Sequence, residues 1–103
     1  MSAALPVLAH TPSLLSDYDA TTLRELLHAH RWAILDTPEA NFHATSPDRR
    51  LYIGWLPEDP AAWRRDIHVT VQATPAGGER WTQEFGIHTP MTAVTAFVAA
   101  LLA

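Results

Sequence analysis

The sequence contains no cysteine and no lysine. The first absence removes a disulfide framework, a thiolate nucleophile and any cysteine-ligated metal. The second leaves all seven basic residues as arginine. Alongside abundant alanine and proline this looks like GC-rich coding bias, and it weakens any special reading of arginine over lysine. Glycine is scarce, with four residues in the chain. No P-loop, G-x-G-x-x-G or G-x-S-x-G pattern occurs, which removes the common phosphate cradles and the nucleophile elbow. No HExxH or HxxxH spacing links the six histidines. No N-terminal basic region precedes an apolar run, so no signal peptide is read and the cytoplasm is the expected compartment. The formal net charge of -4 disfavours bulk attraction to nucleic acid. What remains is 103 residues, 48% hydrophobic and 17% charged, which suits one globular domain around one core.

The core is organised around Thr89 to Ala103, a stretch without a charged residue. Thr89 as N-cap and Pro90 at the first position predict a helix. Val94, Phe97, Val98 and Leu101 recur at helical spacing and form one apolar stripe. Ala93, Ala96, Ala100 and Ala103 form a smooth second face. About 20 residues are needed to span a bilayer, so this shorter helix must hide in protein.

Residues 1–16 read as an apolar leader or arm, and residues 17–103 as a single α+β domain. Asp17, Asp19, Thr21 and Thr22 offer caps for a helix running to about His30, with Leu23, Leu26, Leu27 and His30 on one face. The period then changes to two. Arg31 to Asp36, Phe42 to Thr45 and Leu51 to Trp55 read as short strands. Thr37 to Asn41 and Ser46-Pro47-Asp48-Arg49 read as turns. Leu56 to Ala62, with Pro57 and Pro60, reads as a loop. In the next strand Ile67, Val69, Val71 and Ala73 face one way and His68, Thr70 and Gln72 the other. Pro75 to Gly78 closes a hairpin. Its partner strand sets Trp81, Phe85 and Ile87 against Arg80, Thr82, Glu84 and His88. The prediction is an antiparallel meander of four to five strands with an N-terminal and a C-terminal helix packed on one face. Trp32, Ile53, Val69, Val71, Trp81, Phe85, Ile87, Val94, Phe97 and Leu101 are the expected core.

The run Thr45-Ser46-Pro47-Asp48-Arg49-Arg50-Leu51-Tyr52-Ile53-Gly54-Trp55, a later Trp63, Trp81-Thr82-Gln83-Glu84-Phe85 and Thr89-Pro90 opening an Ala-rich helix form one pattern. It resembles domain of unknown function family 317, found in Streptomyces and related actinobacteria. The resemblance covers roughly Leu23 to Leu102. Arg31-Trp32 stands where a Gly-Trp pair is usual, and Arg64-Arg65-Asp66 where a tighter Trp-x-Ile strand is typical. The resemblance implies the fold and a bacterial origin, and no activity.

Function must then be read from surfaces. No nucleophile–base pair or carboxylate dyad stands out, so no enzyme, cofactor or metal is expected. His43, His68 and His88 can share the polar sheet face by alternation and read as surface histidines, with a metal site there as the alternative. Glu58 and Asp59 read as part of a solvated turn. Arg49, Arg50 and Arg80 should meet at one end of the sheet, and Arg64 and Arg65 at the other. With Tyr52 between them, these arginines suggest a nucleic-acid surface, most simply for DNA. The alternative is a protein-interaction or assembly module, its arginines only protecting strand edges. A homodimer is expected through Ala93, Ala96, Ala100 and Leu102, because no charge solvates that face. The competing cover is the leader, Leu5 to Leu15, folding back over it.

Overall fold

The computed structural model describes residues 18–102. The predicted leader and Ala103 lie outside the described residues. Helix α1 spans Thr21–Ala29 and helix α2 Pro60–Arg64, while helix α3 spans Met91–Leu102. Between them run β1 (Ala33–Asp36), β2 (Phe42–Thr45), β3 (Leu51–Trp55), β4 (Ile67–Ala73) and β5 (Trp81–Gly86). The strands form one antiparallel sheet in the order β1-β2-β3-β4-β5. The α+β meander with a helix at each end is therefore as the alternation implied. No helix among the described residues is long and apolar enough to cross a membrane.

Period-two alternation divides the sheet into two faces. The pairings Ile34–Ala44, Phe42–Trp55, Ala44–Ile53, Ile53–Val71 and Val69–Phe85 all lie on the dry face. Leu23 and Leu27 from α1 and Met91, Val94 and Val98 from α3 close over them in one buried cluster. Asp19 opens α1 by accepting hydrogen bonds from the Thr21 backbone N–H (2.9 Å) and hydroxyl (2.6 Å). These bonds hold its carboxyl below the usual range.

Several expectations are corrected. His30 is exposed and follows the helix, because Leu23 and Leu27 alone point fully inward. The α3 stripe is Met91, Val94 and Val98, with Phe97 and Leu101 only half-buried at its flank. The Pro90 carbonyl accepts from Ala93 and Val94 N–H, so the helix starts one residue later than read. Ile87 is half-buried beyond the end of β5, its N–H bonded to the Asp66 carbonyl at 2.9 Å. Trp81 is on the dry side but 39% exposed, since among the described residues no strand lies beyond β5.

The segment read as a proline loop contains α2. Asp59 caps it by accepting from Ala61 N–H (2.8 Å) and Ala62 N–H (3.4 Å), and Pro60 takes the first turn, where no N–H is required. The Trp63 indole N–H donates to the Pro57 carbonyl. Ala62 packs with Leu56 and Ile67 in a second small cluster. Ile67 leaves the main core because β4 is bulged between Ile67 and Val69. The same bulge turns His68 inward. It is fully buried, with its ring edge-on to Tyr18 at 5.5 Å, and is not the surface histidine that alternation implied.

Candidate nucleic-acid interface

The Ser-Pro-Asp turn positions the first pair of arginines. The Ser46 hydroxyl donates to Asp48 Oδ1 (2.7 Å) and accepts from Leu51 N–H (3.0 Å). Asp48 also accepts from Arg50 N–H at 3.1 Å. These contacts, led by the Ser46 hydroxyl, hold the Asp48 carboxyl below its ordinary value. Arg49 crosses the turn at φ 62°, in the left-handed region, and is exposed. Pairing then aligns the ends. Leu51 lies opposite Ala73 and Ala73 opposite Trp81, so Arg50, Thr74 and Arg80 sit side by side. Thr74 N–H bonds the Arg50 carbonyl at 2.7 Å, and the Arg50 guanidinium donates to the Thr74 carbonyl at 3.3 Å. Acidic Asp48 and Glu79 are sequence neighbours of this cluster and equally exposed.

Arg64 ends α2 and Arg65 caps it, with Asp66 alone before the first residue of β4. They therefore stand at the far end, on the order of 20 Å away along a strand of this length. Arg65 is engaged: its guanidinium reaches both Glu84 oxygens, at 2.6 and 2.5 Å. The structure thus brings Arg49, Arg50 and Arg80 together and keeps Arg64 and Arg65 apart from them.

Between the two ends lies the open face. Tyr52 is half-buried there, its hydroxyl 2.6 Å from His43 Nδ1 and the two rings stacked 20° from parallel. Cross-strand register explains the meeting. His43 pairs with Gly54, and the Tyr52 side chain lies along β3 over that glycine. A Cβ at residue 54 would stand 2.6 Å from the Tyr52 hydroxyl and 3.3 Å from Thr70 Cγ2. Gly54 is therefore the gap that lets the tyrosine lie flat. Burial first, and then the Asp59 carboxylate, push the Tyr52 hydroxyl above its usual pKa. Thr70, Gln72, Thr82 and Glu84 continue this face and, with Asp59, Arg65 and residues of α2, line a shallow groove of about 200 Å³.

The sequence reading missed His43 as the partner of Tyr52, the role of Gly54 and the covering of one end of this face by α2. A glycine inside a central strand, two residues from a tyrosine, was the available signal, because such glycines mark close approaches. No group of three His, Asp or Glu side chains that could hold a metal is found among the described residues. The proposed helix face is divided in exposure: Ala93, Ala96 and Ala100 are exposed, and Leu102 is half-buried against the core.

Neither a curated protein nor a solved structure matches the chain. The matching family profile covers Thr45 onward, from the Ser-Pro-Asp turn through β3, α2, β4, β5 and α3. The segment before it supplies α1, β1 and β2, and with them Leu23, Leu27, Phe42 and Ala44 of the same buried cluster. Residues 45–103 match the SPDY domain of unknown function (DUF317), and the chain belongs to that family.

Proposed function

We propose that this chain is a small, non-catalytic DNA-binding module of the cytoplasm. It meets its ligand with the open sheet face and the arginines at the two ends of that face. The observation that carries the reading is the cluster of Arg49, Arg50 and Arg80 beside the His43–Tyr52 stack, none of the three arginines forming an ion pair among the described residues. Arginines at a rim can hold phosphates, and a flat tyrosine between rims offers a stacking surface to a base. Arg64 and Arg65 serve the opposite rim, where a phosphate must compete with Glu84 for Arg65.

Titration of mixed-sequence single-stranded and duplex DNA at low salt, then at rising salt, tests the reading. Binding should weaken steeply and log-linearly with salt, because each phosphate contact releases counterions. A flat titration at low salt rejects it. The second reading is an assembly or protein-interaction module without nucleic acid. It draws on Trp81, a large aromatic 39% exposed beside a helix that carries no charge. Either way the module works as a homodimer, with Ala93, Ala96, Ala100 and Leu102 at the seam, since exposed apolar surface without charge favours a self-complementary contact.

A further inference from the structure

Among the described residues the sheet ends at β1 and β5, and these two edges are guarded differently. Strand β1 has four residues, its last one, Asp36, is held by Arg24 in a two-pronged ion pair (2.6 and 2.7 Å), and Pro38 follows soon after. Short length, fixed charge and proline are the usual means of keeping another strand away. Strand β5 has six residues and no proline. Among the described residues no strand pairs with it on the side away from β4, and the Gln83 side-chain amide donates to the Glu84 carbonyl at 2.9 Å. Its charges fall in a particular order: Arg80 stands immediately before the strand, and Thr82 and Glu84 follow on its open face, giving positive, neutral and negative at every second residue.

That order is self-complementary. In an antiparallel pair, residues directly opposite share a face. If two copies of β5 pair about a two-fold axis through Thr82, each Arg80 lies opposite the Glu84 of the second copy. Shifting the axis to Gln83 sets Arg80 opposite Gly86. Shifting it to Glu84 sets two carboxylates opposite one another, and shifting it to Trp81 leaves Arg80 facing Thr82. Only the Thr82 register matches charge at both ends of the seam. Glu84 is already held in place by Arg65 and keeps acceptor capacity for a second guanidinium.

The dry side agrees. Phe97 of α3 sits edge-on to both Trp81 (6.4 Å) and Phe85 (5.2 Å), so α3 runs beside this edge. A second copy on β5 would cover the exposed side of Trp81 and bring the uncharged faces of two α3 helices towards each other.

We propose that β5 is the docking edge for a second copy of this chain, in the register that sets Arg80 opposite Glu84, joining two sheets into one of ten strands. The inference rests on the homodimer reading and adds the seam to it. The joined open face would be about 45 Å wide at ~4.8 Å per strand. Each border would then carry the Arg49/Arg50/Arg80 cluster of one copy and the Arg64/Arg65 pair of the other.

Light scattering with a charge swap tests the seam. The parent should show twice the monomer mass at tens of micromolar. Arg80→Glu alone and Glu84→Arg alone should each fall to monomer mass with unchanged circular dichroism. An equimolar mixture of the two should recover the doubled mass, because each seam then sets Glu against Arg. A monomeric parent overturns both the homodimer reading and this seam. A doubled parent mass that survives Arg80→Glu overturns the seam alone, as does a mixture that stays monomeric. Should a single variant lose its fold, Arg80→Gln and Glu84→Gln replace the pair. A dimer dissociation constant at least tenfold higher in both supports the seam, and an unchanged constant overturns it.

Discussion

On the dry face Phe42, Ile53, Val69 and Val71 lie under two helices with at most 1% exposure. On the open face Tyr52, Thr70 and Gln72 stay partly in water, and position is held by single contacts: a tyrosine hydroxyl on an imidazole, an arginine on a glutamate. The dry face is stabilised by area, which is nearly indifferent to which apolar group supplies it. The open face depends on particular atoms at particular registers. Loss of one contact there should alter what the face can bind far more than whether the chain folds.

Truncation of the dry face is the most severe test of that contrast. Phe42→Ala should lower stability by ~3–5 kcal/mol, a large share of what a small domain possesses, read by urea unfolding. Phe97→Ala should lower it less, because Phe97 keeps one side in water. Equal losses for the two would remove the distinction between the face and its flank.

Gly54→Ala is the largest change expected from the open face. The new Cβ would displace the Tyr52 hydroxyl and break its bond to His43, for about 1–2 kcal/mol. In a Tyr52→Ala background the same substitution should cost much less. Additive losses in that cycle would show that Tyr52 does not lie over Gly54.

Alkali probes the same pair more gently. With its pKa raised in the fold, Tyr52 contributes stability fully present below the unfolded value of about 10 and lost as pH rises through the folded one. Tyrosinate absorbance should show a step above that value, and Tyr52→Phe should remove it. A step that survives the substitution would assign it elsewhere.

The smallest effect on stability should come from Arg49→Ala with Arg50→Ala, each within about 0.5 kcal/mol. The pair should nevertheless reduce the salt slope of DNA binding by about one unit per lost contact. Unchanged affinity would leave these arginines as solvated edge charges.

Much of the fold was legible because alternation is local. The bounds of β2 and β3 could be read from Phe42 to Thr45 and Leu51 to Trp55 without any partner in view. The misplaced side chains depend on something non-local. His68 is buried by a bulge, and a bulge is a mismatch between two strands that neither shows alone. Alternation assigned Trp81 to the correct face but says nothing of distance from the edge. The five residues of α2 are too few for a helical period to emerge, although Asp59-Pro60 was a readable start signal. At the candidate site the arginine ends followed from meander order, whereas the His43–Tyr52 contact required the exact pairing of β2 with β3.

The neighbour-to-neighbour strand order has a consequence for how the chain acquires its structure. Every strand pairs with the one before or after it in sequence, so each hairpin can close on its own with little loop entropy lost. The contact of α1 with α3 is different: it joins the two ends of the described chain around a sheet already built. During synthesis α3 emerges after all five strands, and until then α1 is the one described helix available to cover the apolar side of the sheet. That interval is when an uncapped sheet is most open to association with other chains. Substitutions at Val94 or Val98 should therefore act mainly on the rate at which α3 leaves the sheet, and lower the yield of folded protein more than the rate at which the hairpins form.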